Sequence, residues 1–112
     1  TYEYTAQVGG VGLLVETVAG WDAAGLKVLA AAATGGRRVC VVLLSPGPPV
    51  AIVVACSPGV AVEANTTLQE LVSRFGGRGG GKREMAQGGG LTGSVEEIAS
   101  AARVLLESKL SL

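Results

Sequence analysis

"RRVCVVLLSPGPPVAIVVACS", residues 37–57, decides the fold. Two apolar runs of strand length stand on either side of "PGPP". Near-continuous, β-branched runs of this kind suit strands that are covered on both faces. Pro46, Pro48 and Pro49 have no N–H to give to a ladder, so they belong to the reversal between the runs. The stretch therefore predicts a hairpin of two buried strands. Neither run reaches the roughly 20 apolar residues that span a bilayer.

Upstream, "TYEYTAQV" (1–8) alternates and reads as a first strand. "VGLLVETV" (11–18) reads as a second. Asp22 is a good N-cap for a helix through "AAGLKVLAAAAT". Leu26, Leu29, Ala30 and Ala33 share one face of that helix, and Gly35 and Gly36 stop it. Strand, helix and strand in succession predict a parallel pair with a right-handed crossover, so the sheet is mixed.

Downstream, a second helix should start near Asn65 to Thr67, where Thr67 and Glu70 have capping-box spacing. Leu68, Leu71, Val72 and Phe75 supply its buried face, and Gly76 ends it. Ser94 and Glu97 repeat the capping spacing. They open a last helix from Val95 to about Ser108, with Val95, Ile98, Ala102, Leu105 and Leu106 inward. Between these helices "REMAQ" is long enough for a short extra strand. The order ββαββα-(β)-α describes a single α/β domain over residues 1–112, a mixed β-sheet packed against three helices in two or three layers.

Composition narrows the function. The chain has 112 residues, 48% hydrophobic and 16% charged, which is a globular balance. Nine basic residues offset nine acidic ones, so a nucleic-acid contact has to come from a local patch. There is no histidine. That excludes His-ligated zinc, Ser-His-Asp and Cys-His catalysis and a His base. Cys40 and Cys56 sit inside the apolar runs and read as buried free thiols, with a disulfide as the alternative. No metal site is expected from these residues. The N-terminus lacks signal-peptide character and begins at Thr1, so the expectation is a soluble cytoplasmic piece of a longer protein, without a membrane partner.

The most unusual stretch is "GGRGGGKREMAQGGG", residues 76–90, in which eight residues are glycine. Gly76 to Lys82 fits G-x-x-x-x-G-K, but Arg83 stands where a P-loop needs Ser or Thr. A P-loop also follows a strand and opens a helix, whereas this segment follows a helix and the next cap is Ser94. A flexible loop does not explain the anchored ends or the buriable Met85 and Ala86. A backbone-lined anion site remains, since glycines let a phosphate approach main-chain N–H groups. Arg74, Arg78, Lys82 and Arg83 supply four cations with no acid between them.

The same stretch resembles the glycine-rich motif of alanyl-tRNA synthetase C-terminal domains, GGxGGGxxxMAQxGG. The motif positions here are Gly76, Gly77, Gly79, Gly80, Gly81, Met85, Ala86, Gln87, Gly88, Gly89 and Gly90. "VGLLVETVAGWDAAGLKVLAAAAT" is similar to the strand-then-helix opening of that domain, called C-Ala, a member of the DHH-associated family. The resemblance covers essentially the whole chain. It departs at "KRE", where "RPD" is more usual: Lys82 keeps the charge and Arg83 replaces a proline. Related phosphoesterases carry a histidine in this motif, and its absence here favours the synthetase branch.

The resemblance implies a non-catalytic domain that docks tRNA specific for alanine at its outer corner, for aminoacylation and editing elsewhere in the parent enzyme. No cofactor is implied for this segment; ATP, Mg and Zn would belong to other domains. The local charge points to Arg78, Lys82 and Arg83 for such contacts, with Arg74 at the helix end beside them, while a second pair, Arg37 and Arg38, reads first as an ordinary solvated strand start. Tyr2, Tyr4, Trp21 and Phe75 are scattered, so no stacking ladder is expected. The alternatives are a structural or dimerisation module of the same enzyme or of a free-standing editing factor, and a phosphoesterase-type substrate domain.

Overall fold

The computed structural model describes residues 6–8, 11–18, 23–34, 38–46, 50–57, 60 and 62–110. Its elements, in chain order, are β1 (Ala6–Val8), β2 (Val11–Thr17), α1 (Ala23–Thr34), β3 (Val39–Ser45), β4 (Val50–Cys56), α2 (Ala64–Phe75), β5 (Arg78–Gly81), β6 (Met85–Leu91) and α3 (Val95–Leu110). Asp22, Gly35, Gly36 and Arg37 fall outside the described residues, as do Tyr2, Tyr4 and Trp21.

The strands form one mixed six-stranded sheet in the order β1-β2-β3-β4-β6-β5. β2 and β3 run parallel, joined through α1, and β3 and β4 form the expected antiparallel hairpin. Alternation in the central strands explains the layers. Val39, Val41, Leu43, Val53 and Ala55 face α1, where Leu26 and Ala30 meet them. Cys40, Val42, Leu44, Ile52 and Val54 face the other way, towards Leu68 and Leu71 of α2 and Ile98, Ala102 and Leu106 of α3. The result is three layers, with α1 on one side and α2 and α3 on the other.

Two expectations change. The start of α2 lies at Ala64, and its N-cap position, Glu63, makes no side-chain cap bond. Thr67 is therefore not a cap: it is buried, and its hydroxyl donates to Glu63 O at 2.9 Å. Glu70 instead pairs with Lys109 of α3 at 3.0 Å. The physical reason is tertiary. The Ala64 N–H donates to Arg83 O at 2.7 Å, so a turn distant in sequence anchors the first residue of the helix and fixes its start ahead of Thr67. The Ser94 cap does form, with the Glu97 N–H donating to Ser94 Oγ at 3.1 Å, while the Glu97 carboxylate accepts from the Ser94 hydroxyl at 3.3 Å instead of from its backbone N–H, so the reciprocal half of the box is not made.

The second change concerns the glycine stretch. The short strand expected over "REMAQ" is the first half of a longer one, and it is paired. β5 and β6 form an antiparallel hairpin, with Arg78 opposite Gly89 and Gly81 opposite Ala86. β6 joins β4 in the sheet, leaving β5 as the outer edge. The β4–β6 register shifts between Val50 and Ile52, so Gly89 and Gly90 oppose Ala51. Gly90 has φ +73°, which fits the left-handed turn of such a bulge.

Candidate nucleic-acid interface

Half of the eight glycines, Gly77, Gly79, Gly81 and Gly88, have packing duties. A Cβ at Gly77 would stand 2.5 Å from Gly89 O, and one at Gly79 would stand 2.8 Å from Leu68 Cδ2. Gly76 and Gly77 take φ +82° and +95°, which turns the chain from the end of α2 into β5. Gly80 and Gly89 are different. A Cβ at either meets nothing within 4 Å, and neither has positive φ. Bare backbone at these two positions is not demanded by the fold.

Parity places the cations. Gly79 and Gly88 face Leu68, on the α2 side. Arg78 and Gly80 therefore lie on the opposite side of β5. Lys82 follows in the same alternation, opposite Met85, which packs with the α1 cluster. The Lys82 N–H donates to Met85 O at 2.7 Å and closes the turn over Arg83 and Glu84. No residue of this turn has positive φ, so it is not a primed turn. Arg83 sits at the tip, 3.9 Å from Glu63 with both side chains well exposed, a pairing too loose to hold it.

The structure thus brings Arg78, Lys82 and Arg83 onto one edge hairpin, all exposed. Gln87, opposite Gly80, is exposed beside them. Arg74 goes elsewhere. Its guanidinium lies 5.8 Å from the Phe75 ring, and it lines a groove of about 780 Å³ between α2 and α3 with Glu96, Glu97 and Val104. Arg38 is exposed at the start of β3, on the far side of β4 from the hairpin.

No helix opens at Lys82, and its N–H is spent in the turn. The segment therefore lacks the converging N–H groups of a P-loop. What it offers is a short, cationic edge with exposed backbone. Gln69, which the sequence reading did not single out, partly closes that edge: its Nε2 donates to Gly79 O at 2.7 Å. A glutamine on a helix face carries no signal of such a long-range bond. Ser57 is similar: it is buried, and its Oγ accepts from the Val39 N–H at 3.0 Å. Among the described residues no group of three His, Cys, Asp or Glu side chains is placed to hold a metal ion. Also among them, no helix is long and apolar enough to cross a membrane.

Comparison with known proteins gives this geometry a family. The chain is 35% identical over 83 residues to alanine–tRNA ligases of two Thermus thermophilus strains. That alignment takes in 74% of the chain and 9% of the ligase, so the chain spans a small part of those relatives. The fold superposes on the crystal structure of the C-Ala domain from Aquifex aeolicus alanyl-tRNA synthetase with a TM-score of 0.80 and 25% identity, over 96% of this chain and 97% of that one. The family model described as the DHHA1 domain matches residues 10–108, from the foot of β2 to the last turns of α3, and the chain belongs to that family.

Proposed function

We propose that this chain is the tRNA-docking C-terminal domain of an alanine–tRNA ligase, acting in the cytoplasm. It holds tRNA specific for alanine while other parts of the enzyme aminoacylate and edit it. ATP, Mg and Zn serve those parts. The observation that carries the reading is the edge hairpin, where Arg78, Lys82 and Arg83 are all exposed on a chain of zero net charge. Three cations on one paired edge suit phosphates along an RNA surface, where binding is mainly electrostatic and shape-based. The bare backbone at Gly80 lets such a surface come close.

The test is a tRNA titration over a salt series. Each lost phosphate contact should lower the magnitude of the log–log salt slope by about 0.7–0.9. The triple variant Arg78→Ala, Lys82→Ala, Arg83→Ala should lose about 2 units of slope or slightly more. Unchanged affinity and slope would remove the hairpin from the interface.

One observation favours a second reading, a dimerisation module. The outer face of α1 exposes Ala24, Val28, Ala31 and Ala32, with Val28 69% exposed. Sedimentation at micromolar concentration separates the readings: a monomer that binds tRNA eliminates the second.

A further inference from the structure

Cys40 and Cys56 stand directly opposite each other on β3 and β4. Both side chains enter the core between the sheet and the α2–α3 layer. Two hydrogen bonds fix the kind of pair. The Ser57 N–H donates to Val39 O across the strands, while the Cys56 N–H points away from β3 and donates to Glu84 O. Val39–Ser57 is therefore the bonded pair, and Cys40–Cys56 is the adjacent non-bonded pair. In such pairs the backbones approach most closely, with Cα atoms about 4.5 Å apart. That falls within the window of about 4.4–6.8 Å for a disulfide. Both thiols are free, and the proposed function uses neither. The Cys56 thiol shares its proton with the Cys40 sulfur, which lowers the Cys40 pKa below the ordinary value. That contact, with burial, keeps Cys56 protonated.

The pair also touches the cationic hairpin. Cys56 N–H holds Glu84 O at 2.9 Å, and the next carbonyl back, Arg83 O, accepts from Ala64 N–H at 2.7 Å. We propose that Cys40 and Cys56 form a cross-strand oxidation site, which a hydroperoxide closes to a disulfide within the folded sheet, shifting the turn that carries Lys82 and Arg83. The Cys40 thiol gives up its proton as its sulfur attacks one peroxide oxygen, the O–O bond breaks, and the departing hydroxide takes that proton and leaves as water, with Cys40 now a sulfenic acid. The Cys56 sulfur then attacks the Cys40 sulfur. The S–S bond forms, the S–O bond breaks, and the hydroxyl leaves as water with the Cys56 proton. Two thiols and one hydrogen peroxide give one disulfide and two waters.

Opposed Cβ atoms ordinarily stand about 4.5–5.5 Å apart. A disulfide requires about 3.5–4.5 Å. A non-bonded pair lies at the close end of that range, and the Cα atoms of a disulfide are most often about 5.5–6 Å apart, so closure readjusts β4 against β3 by a fraction of an ångström to about an ångström, and the bond from Cys56 N–H to Glu84 O carries that shift to the turn. Both residues are buried, at 0% and 3% exposure, so the reaction waits on local opening and runs more slowly than at a surface thiol.

The effect on RNA rests on the proposed function; the bond itself does not. The reduced chain is treated with hydrogen peroxide, and free thiols, intact mass and peptide maps are followed. Both thiols should disappear together, with loss of two hydrogens and a single Cys40–Cys56 linked peptide. Dithiothreitol should restore them, whereas sulfoxide at Met85 would persist. The site is overturned if the folded chain keeps both thiols at a dose that consumes them in urea, or if the sulfurs link between molecules. Amide NMR signals of residues 82–85 and 64 should move on oxidation and return on reduction. Signals that stay fixed overturn the coupling. The oxidised chain should bind tRNA about threefold more weakly or worse, the scale of coupling through a chain of contacts. Equal affinity overturns that consequence. Absence of tRNA binding by both forms counts against the proposed function alone, and the thiol and NMR results still decide the oxidation site.

Discussion

Gly79 and Gly80 are neighbours on β5, yet alanine should shift stability in opposite directions at the two positions. At Gly79 the new Cβ would lie 2.7 Å from Gln87 O, 2.8 Å from Gly88 Cα and 2.8 Å from Leu68 Cδ2. Comfortable carbon contacts are about 3.5–4.0 Å, so the methyl group is too close to all three atoms. Two of them are β6 backbone, held by the ladder, and cannot turn aside as a side chain can. Overpacking costs about 1–3 kcal/mol, and the upper half applies because relief means parting the strands. Gly80→Ala meets nothing within 4 Å and needs no left-handed φ. Its main effect is to restrict the unfolded chain, worth about 0.4–1 kcal/mol of added stability. The two variants should thus differ by about 3 kcal/mol, or roughly 10 °C in melting temperature for a domain of this size. Urea unfolding followed by circular dichroism reads the same difference as a shift in midpoint at constant m. A Gly79→Ala variant as stable as the parent would refute the close approach of β5, β6 and α2. A Gly80→Ala variant as unstable as Gly79→Ala would refute the open face.

Three further outcomes are expected. Ser57→Ala leaves the buried Val39 N–H without its side-chain acceptor and should cost about 1–3 kcal/mol in chemical denaturation. Ser94→Ala removes the N-cap of α3 and should cost about 1 kcal/mol, with most of it recovered in Ser94→Asp. Leu68→Ala empties a fully buried site between α2 and the hairpin and should cost about 2–5 kcal/mol. In that variant, amide exchange should rise first in β5, since Leu68 meets both Gly79 and Gly88.

Local signals were the readable ones. The central hairpin was legible because its runs are β-branched and the prolines between them can only turn. The Ser94 cap was legible because it needs only a backbone N–H three residues on. Thr67 and Glu70 have the same spacing and mislead, because α2 already begins at Ala64, anchored by Arg83 O from a distant turn, and Lys109 of α3 takes Glu70. β5 was not read as a strand because three of its four residues are glycine, which has no strand preference of its own. Its pairing comes from β6, which is itself pinned to β4. Of the four cations proposed as contacts, Arg78, Lys82 and Arg83 share the hairpin, and Arg74 lines the α2–α3 groove. Sequence proximity suggested one patch, but the turn at Gly76 and Gly77 separates Arg74 from the rest.

By itself, the order of residues determined the mixed sheet, the parallel crossover, the hairpin and the inward faces of three helices. Each follows from periodicity, β-branching, caps and breakers, which act over a few residues and need no partner. Tertiary structure alone decided how the glycines divide. Packing against β6 and Leu68 claims Gly77, Gly79 and Gly88, and leaves Gly80 and Gly89 facing open space. Glycine has no side chain to show which neighbour it accommodates, so only the neighbour's position reveals its purpose. The same holds for Cys40 and Cys56. Each looks like an ordinary core residue in its own strand, and only the register of β3 on β4 sets one against the other.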